Sequence, residues 1–182
     1  MIFLFTLFIQ SIGNRLIMND DVVLAFTAVE KWLFLPCGYH YLWFTSDALH
    51  VLFIDKESPG QAYRSVGQGH RGWKGSVSHS LGSKLAERVQ SRVEPKIKEL
   101  DMMDVQTALA SSKHNYTVPA YSVERLRGEY MSGEETLDLY LDLNDSSGLW
   151  PFKGRRKFTI ESEELGDIVS DIRNCCPFAV DL

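Results

Sequence analysis

Residues 136–143 read TLDLYLDL, in which Leu137, Leu139, Leu141 and Leu143 alternate with Asp138, Tyr140 and Asp142. A period of two fits an extended strand, whose side chains point to opposite faces in turn, and cannot make the stripe of a helix. One apolar face and one charged face further imply a sheet wetted on one side, which is the habit of antiparallel sheets. The chain must therefore supply neighbouring strands and a core on the leucine side.

Several segments qualify. DVVLAFTAVEKW (21–32) is rich in Val, Phe and Thr with little polar interruption, as a buried strand is. PCG at 36–38 breaks it. YHYLWFT (39–45) and ALHVLFI (48–54), separated by Ser46 and Asp47, predict a tight hairpin that DKESPGQ then ends with turn-forming residues. Downstream, YTVPAYSVERLRGEY holds Val123 and Leu126 and stops at the turn MSGE. NDSSG follows the leucine strand, and RRKFTIE (155–161) predicts another strand with Phe158 and Ile160 inward.

Between the two groups the period changes. Leu81, Leu85, Val89, Val93, Ile97 and Leu100 recur at spacings of three and four, which is helical, and Pro95 is expected to kink or divide that helix. Asp104 is a candidate cap for a short second helix carrying Val105, Ala108 and Leu109. A terminal helix is expected after Ser162, with Leu165, Ile168, Val169, Ile172 and Cys176 on one stripe. The order is three strands, a helical insertion, three or four strands and a terminal helix. At 182 residues this is one domain.

That order resembles the pleckstrin-homology (PH)-like fold, and more specifically the small bacterial-type PH-like and GRAM-like modules. The residues that carry the resemblance are YLWFTSDALHVLF, similar to the hairpin of that family, ALASSKHNYTVPAYSVERL, similar to its passage from an inserted helix into the next strand, and RRKFTIESEELGDIVSDI, similar to its last strand and helix. The resemblance covers about residues 20–176. It implies an α+β, mainly β domain over 18–178: a half-open antiparallel barrel of about seven strands, with a helical insertion at about 78–112 and a C-terminal capping helix. A binding or scaffolding module is the reading taken with it, and an enzyme on an unrecognised fold is a third alternative that the absence of a convergent acid, base or nucleophile set disfavours. Lipid-binding PH domains carry several cations between the first two strands. VEKWLFLPCGYH offers only Lys31 there, so specific phosphoinositide binding is not expected.

Other features bound the chemistry. A net charge of −5 argues against a nucleic-acid partner. Gly67, Gly69 and Gly72 have the spacing of a dinucleotide loop, but the preceding strand ends near Ile54 and no second strand ending in an acid follows, so the stretch reads as a connector. Five scattered histidines and the cysteines Cys37, Cys175 and Cys176 suggest neither a metal site nor a disulfide framework, and no cofactor is implied. No catalytic set of acid, base and nucleophile stands out. The candidate ligand or lipid surface is Arg71, Trp73 and Lys74 in the connector, with the basic run Lys153, Arg155, Arg156 and Lys157. The bland alternative for that run is cross-strand pairing with the acidic stretch before it.

Residues 1–17 pose a separate question. The apolar run Ile2–Ile9 is shorter than the roughly 20 residues that span a bilayer, and it lacks the flanks of a signal peptide. Met18 as the true initiator is the favoured reading, with a core strand as the alternative. The overall expectation is a cytoplasmic module that binds a protein partner. A peripheral membrane regulator, contacting anionic lipid through the basic loop or the N-terminal run, is the second reading.

Overall fold

The computed structural model of the protein describes residues 11–12, 15–16, 21–32, 35–62, 75–130, 136–144, 155–161 and 165–182. Strands β1 (Ser11–Ile12) and β2 (Arg15–Leu16) pair with each other in a small hairpin. The apolar run Ile2–Ile9 lies outside the described residues.

The main sheet begins with the meander β3 (Val22–Trp32), β4 (Leu35–Thr45) and β5 (Ala48–Asp55). Ser58 then opens a helical turn at residues 59–62: its N–H donates to Gln61 Oε1 at 2.9 Å, while its hydroxyl accepts from the Gln61 N–H at 3.1 Å. This reciprocal pair is a capping box with proline at the first helical position, so the stretch that reads as a plain turn starts a helix instead.

Helices α1 (Gly75–Asp101) and α2 (Val105–Ala110) follow. Asp104 caps α2, its carboxylate accepting from the Thr107 N–H at 2.9 Å. Helix α1 is not divided at Pro95 but runs through it. The magnitudes explain this: a proline inside a helix costs about 3 kcal/mol, whereas burying Val89, Val93, Ile97 and Leu100 on one stripe is worth about 2 kcal/mol each.

The chain returns through β6 (Tyr116–Pro119), a 3₁₀ turn at Ala120–Ser122, β7 (Val123–Tyr130), β8 (Thr136–Leu143) and β9 (Arg155–Glu161). Helix α3 (Leu165–Cys175) and a short strand β10 (Val180–Asp181) complete it. Ser162, read as the cap of α3, lies outside the described residues. The fold is α+β and mainly β: an open eight-stranded sheet in the order β10-β7-β8-β9-β3-β4-β5-β6. Every pairing in it is antiparallel except β10 with β7.

Two cores share this sheet. On the inner face Leu24, Phe26, Leu42, Phe44, Phe158, Ile160 and the four leucines of β8 close over Leu165, Val169 and Ile172 of α3. On the outer face Val22, Ala25, Tyr41, Trp43 and Leu52 lie under α1 and Ala108 of α2. Strands β3–β5 are thus covered on both sides, which is why their sequence is apolar throughout. Strand β8 has an apolar core on one side, which is why it alternates. Its other side is not simply wet. Asp138, which the alternation places on the solvent face, is 1% exposed and accepts from Thr159 Oγ1 at 2.6 Å.

Candidate functional site

On the inner face the apolar rows stop at one end of the sheet, and the next inward residue is polar in each of four strands. Glu30 follows Ala28, His40 precedes Leu42, Tyr116 precedes Val118 and Arg156 precedes Phe158. Alternate residues of a strand share a face, so the same two-residue step turns all four inward at the same end. Arg156 Nη1 donates to Glu30 Oε1 at 2.5 Å and also to the Tyr116 hydroxyl. That hydroxyl in turn donates to Glu30 Oε1 at 2.9 Å. The guanidinium lies over the Tyr116 ring, 4.1 Å from its centroid. His40 Nε2 stands 3.5 Å from the other Glu30 oxygen.

A backbone irregularity places His40 and Glu30. Glu30 faces Gly38 across the β3–β4 ladder, and the register slips there and again between Tyr39 and His40. Gly38 has φ of +149°, and a Cβ on it would come within 3.0 Å of both His40 Nε2 and Phe53 Cε2. Only glycine adopts such a backbone readily, and the missing side chain lets the imidazole lie against the strand. The His40 ring meets Phe53 edge-on at 5.6 Å, and Phe53 in turn meets His114 at 5.2 Å.

Burial sets the protonation states. It pushes the His40 pKa from 6.5 down to about 4, with Arg156 and then His114 acting in the same direction. Burial, reinforced by Glu30, raises the Tyr116 pKa well above its ordinary value. At neutral pH the cluster therefore holds a neutral imidazole and a neutral phenol beside the Glu30–Arg156 pair. The 3.5 Å contact of His40 with Glu30 is accordingly not an ion pair there, and neither ring nitrogen makes a hydrogen bond. The contacts among Glu30, Arg156 and Tyr116 tie β3, β9 and β6 together at this end of the sheet. Among the described residues, no group of three His, Cys, Asp or Glu is placed to hold a metal ion.

The residues singled out from sequence are dispersed. Arg156 is 6% exposed and belongs to this inner cluster, not to a surface. Lys157 points the other way, 2.5 Å from Asp138 Oδ2 and over the Tyr140 ring at 5.2 Å. It thereby forms the cross-strand pair of the bland alternative. Arg155 stands opposite Asp142 in the β8–β9 register. Arg71, Trp73, Lys74 and Lys153 lie outside the described residues, as do Gly67, Gly69 and Gly72. None of the cysteines is in a disulfide, and burial lifts the Cys176 thiol to about 11.

A second arrangement has no counterpart in the sequence reading. Beyond α3 the chain turns back as β10 and pairs with β7 in parallel, Val180 beside Leu126 and Asp181 beside Arg127. The Leu126 N–H donates to Ala179 O at 2.8 Å. Phe178, Val180 and Leu182 pack on the inner core, and the Phe178 ring lies 6.0 Å from Phe44. A Cβ built on Gly128 would overlap Leu182 Cδ2, and Arg173 of α3 donates to the Leu182 carbonyl. The sequence signals were the alternation of Phe178, Val180 and Leu182, and a glycine in the middle of VERLRGEY.

No family model, curated protein or solved structure matches the chain. No helix among the described residues is long and apolar enough to cross a membrane.

Proposed function

We propose that the chain is a non-catalytic binding module of the PH-like type whose partner is a protein. The element order supports the fold part of this reading. Seven strands, β3–β9, form one continuous antiparallel series, α1 and α2 fall after the third of them, and α3 lies against the inner core. In this reading the curled sheet is a half-open barrel and α3 is its cap.

The observation that carries the binding part is the edge of β7. Its Leu126 N–H donates to Ala179 O of an extended segment outside the antiparallel series, and the three apolar side chains of that segment pack on the inner core. Addition of a strand to a sheet edge is a general mode of peptide recognition, in which the backbone supplies affinity and alternate side chains supply specificity. The inner cluster supports binding over catalysis, because its charges are spent on holding strands together. Lipid contact has less to draw on: Arg156 is turned inward and Lys157 is engaged by Asp138.

The test uses the full chain in two assays, capture of partners from native extract at physiological salt and sedimentation with phosphatidylserine vesicles. A retained protein that slows hydrogen exchange on the sheet, with no sedimentation, is the expected result. Sedimentation that persists in physiological salt, with no protein retained, would overturn the reading in favour of the membrane.

A further inference from the structure

We propose that the groove between the β7 edge and α3 is a peptide site that residues 177–182 occupy as a displaceable self-ligand. This rests on the protein-binding reading above and names its ligand: an extended segment with apolar residues at alternate positions, running parallel to β7. The self-segment PFAVDL defines the chemistry. Phe178 lies against Phe44, Val180 lies beside Leu126, and Leu182 fills the space left by the missing side chain of Gly128. The Leu126 N–H and the Arg173 guanidinium hold the backbone carbonyls at either end.

Three features make the segment displaceable. Its pairing with β7 is two residues long. Ala179 and Asp181 are exposed, while Phe178, Val180 and Leu182 are only half-buried. Helix α3 ends at Cys175, and the Cys176 N–H donates to Ile172 O at 3.0 Å, so the helix terminates before the segment begins. The segment can therefore leave without unwinding the helix. A strand tethered this close competes with a free peptide at an effective concentration on the order of millimolar. Removing that competition strengthens binding of a free peptide by the factor by which the tethered state outweighs the open one.

The experiment measures fluorescence anisotropy of labelled PFAVDL against three proteins. They are the full chain, the full chain carrying Phe178→Asp with Val180→Asp, and the latter with Gly128→Leu added. The double variant is expected to bind the peptide at least about tenfold more tightly than the unaltered chain. Gly128→Leu should abolish that gain by filling the Leu182 position. FPVALD, with the apolar residues shifted by one place, should not bind. Equal binding by the unaltered and double-variant proteins would overturn the proposal, as would a double variant that forms dimers.

Hydrogen exchange of the unaltered chain guards against a variant that does not fold. The Leu126 amide and those of residues 180–182 should exchange far faster than the Leu139 amide in β8. Equal protection would make the segment an integral part of the fold and would sink the idea. A captured partner that leaves β7 unprotected would also refute this groove, while leaving the protein-binding reading intact.

Discussion

The guanidinium of Arg156 lies 4.1 Å from the centre of the Tyr116 ring, although β9 and β6 stand four places apart in the sheet. A flat sheet would separate those strands by about 19 Å, so the contact exists only because the sheet curls. Glu30, from β3 between them, ties both groups together. These polar groups close one end of the inner core.

Removing one partner of the Arg156–Glu30 pair leaves the other buried without this counter-charge. Arg156→Met should cost about 3 kcal/mol, because Glu30 is itself only 15% exposed. Glu30→Met should be costly for the converse reason. The double variant should cost less than the sum of the two by about 1 kcal/mol or more, since replacing both charges strands neither. Urea denaturation of the four proteins measures the coupling, and strictly additive losses would show that the two groups do not support each other.

His40 makes the fold sensitive to acid. Its pKa falls from 6.5 to about 4 on folding, so between those values the unfolded chain binds a proton that the folded chain refuses. Its contribution is fully present above pH 6.5, declines as pH falls toward 4, and reaches about 3 kcal/mol in total. His50, also lowered by burial, adds in the same direction. His40→Gln should flatten the dependence of stability on pH over this window. Urea midpoints at pH 7, 5.5 and 4.5 test this, and parallel curves for the two proteins would refute the assignment.

Adjacent residues of β8 should both be intolerant of exchange, for opposite reasons. Leu139→Asp puts a charge into the inner core and should unfold the protein. Asp138→Leu removes the acceptor of Thr159 and the partner of Lys157, and should cost about 2 kcal/mol. Asp138→Asn should cost less, because it keeps an acceptor for the Thr159 hydroxyl. Thermal melts rank the three, and a harmless Asp138→Leu would mean that this face of β8 is as wet as its alternation suggests.

Gly38 tests the irregularity that sets the cluster. Gly38→Ala forces a side chain into a backbone at φ of +149° and against His40 and Phe53. The strain of about 2 kcal/mol should lower the melting temperature by about 5 °C. Because His40 must move, the variant should also lose part of the acid sensitivity seen between pH 6.5 and 4. A variant that melts like the parent with an unchanged pH profile would show that the strand relaxes around the new methyl.

Strands β3–β9 and helices α1, α2 and α3 were legible in the sequence because each has an apolar row to bury. A row with a period of two or 3.6 can be read from local order alone. Asp104 was legible for a similar reason, since a cap acts within one turn. What lay beyond reach depends on contacts between distant residues. Nothing local distinguishes Arg156, turned inward onto Glu30 and Tyr116, from its neighbours in the run RRK, because the partners are 126 and 40 residues away. The burial of Asp138 likewise follows from Lys157 and Thr159 on the next strand. The persistence of α1 through Pro95 follows from the outer sheet face, which rewards one unbroken stripe by more than the proline penalises it. The return of residues 178–182 to β7 needed the open edge, the terminal helix and the gap at Gly128 to be set side by side. Periodicity is a property of a segment, whereas pairing a charge, closing a curl and filling a gap are properties of the assembled sheet.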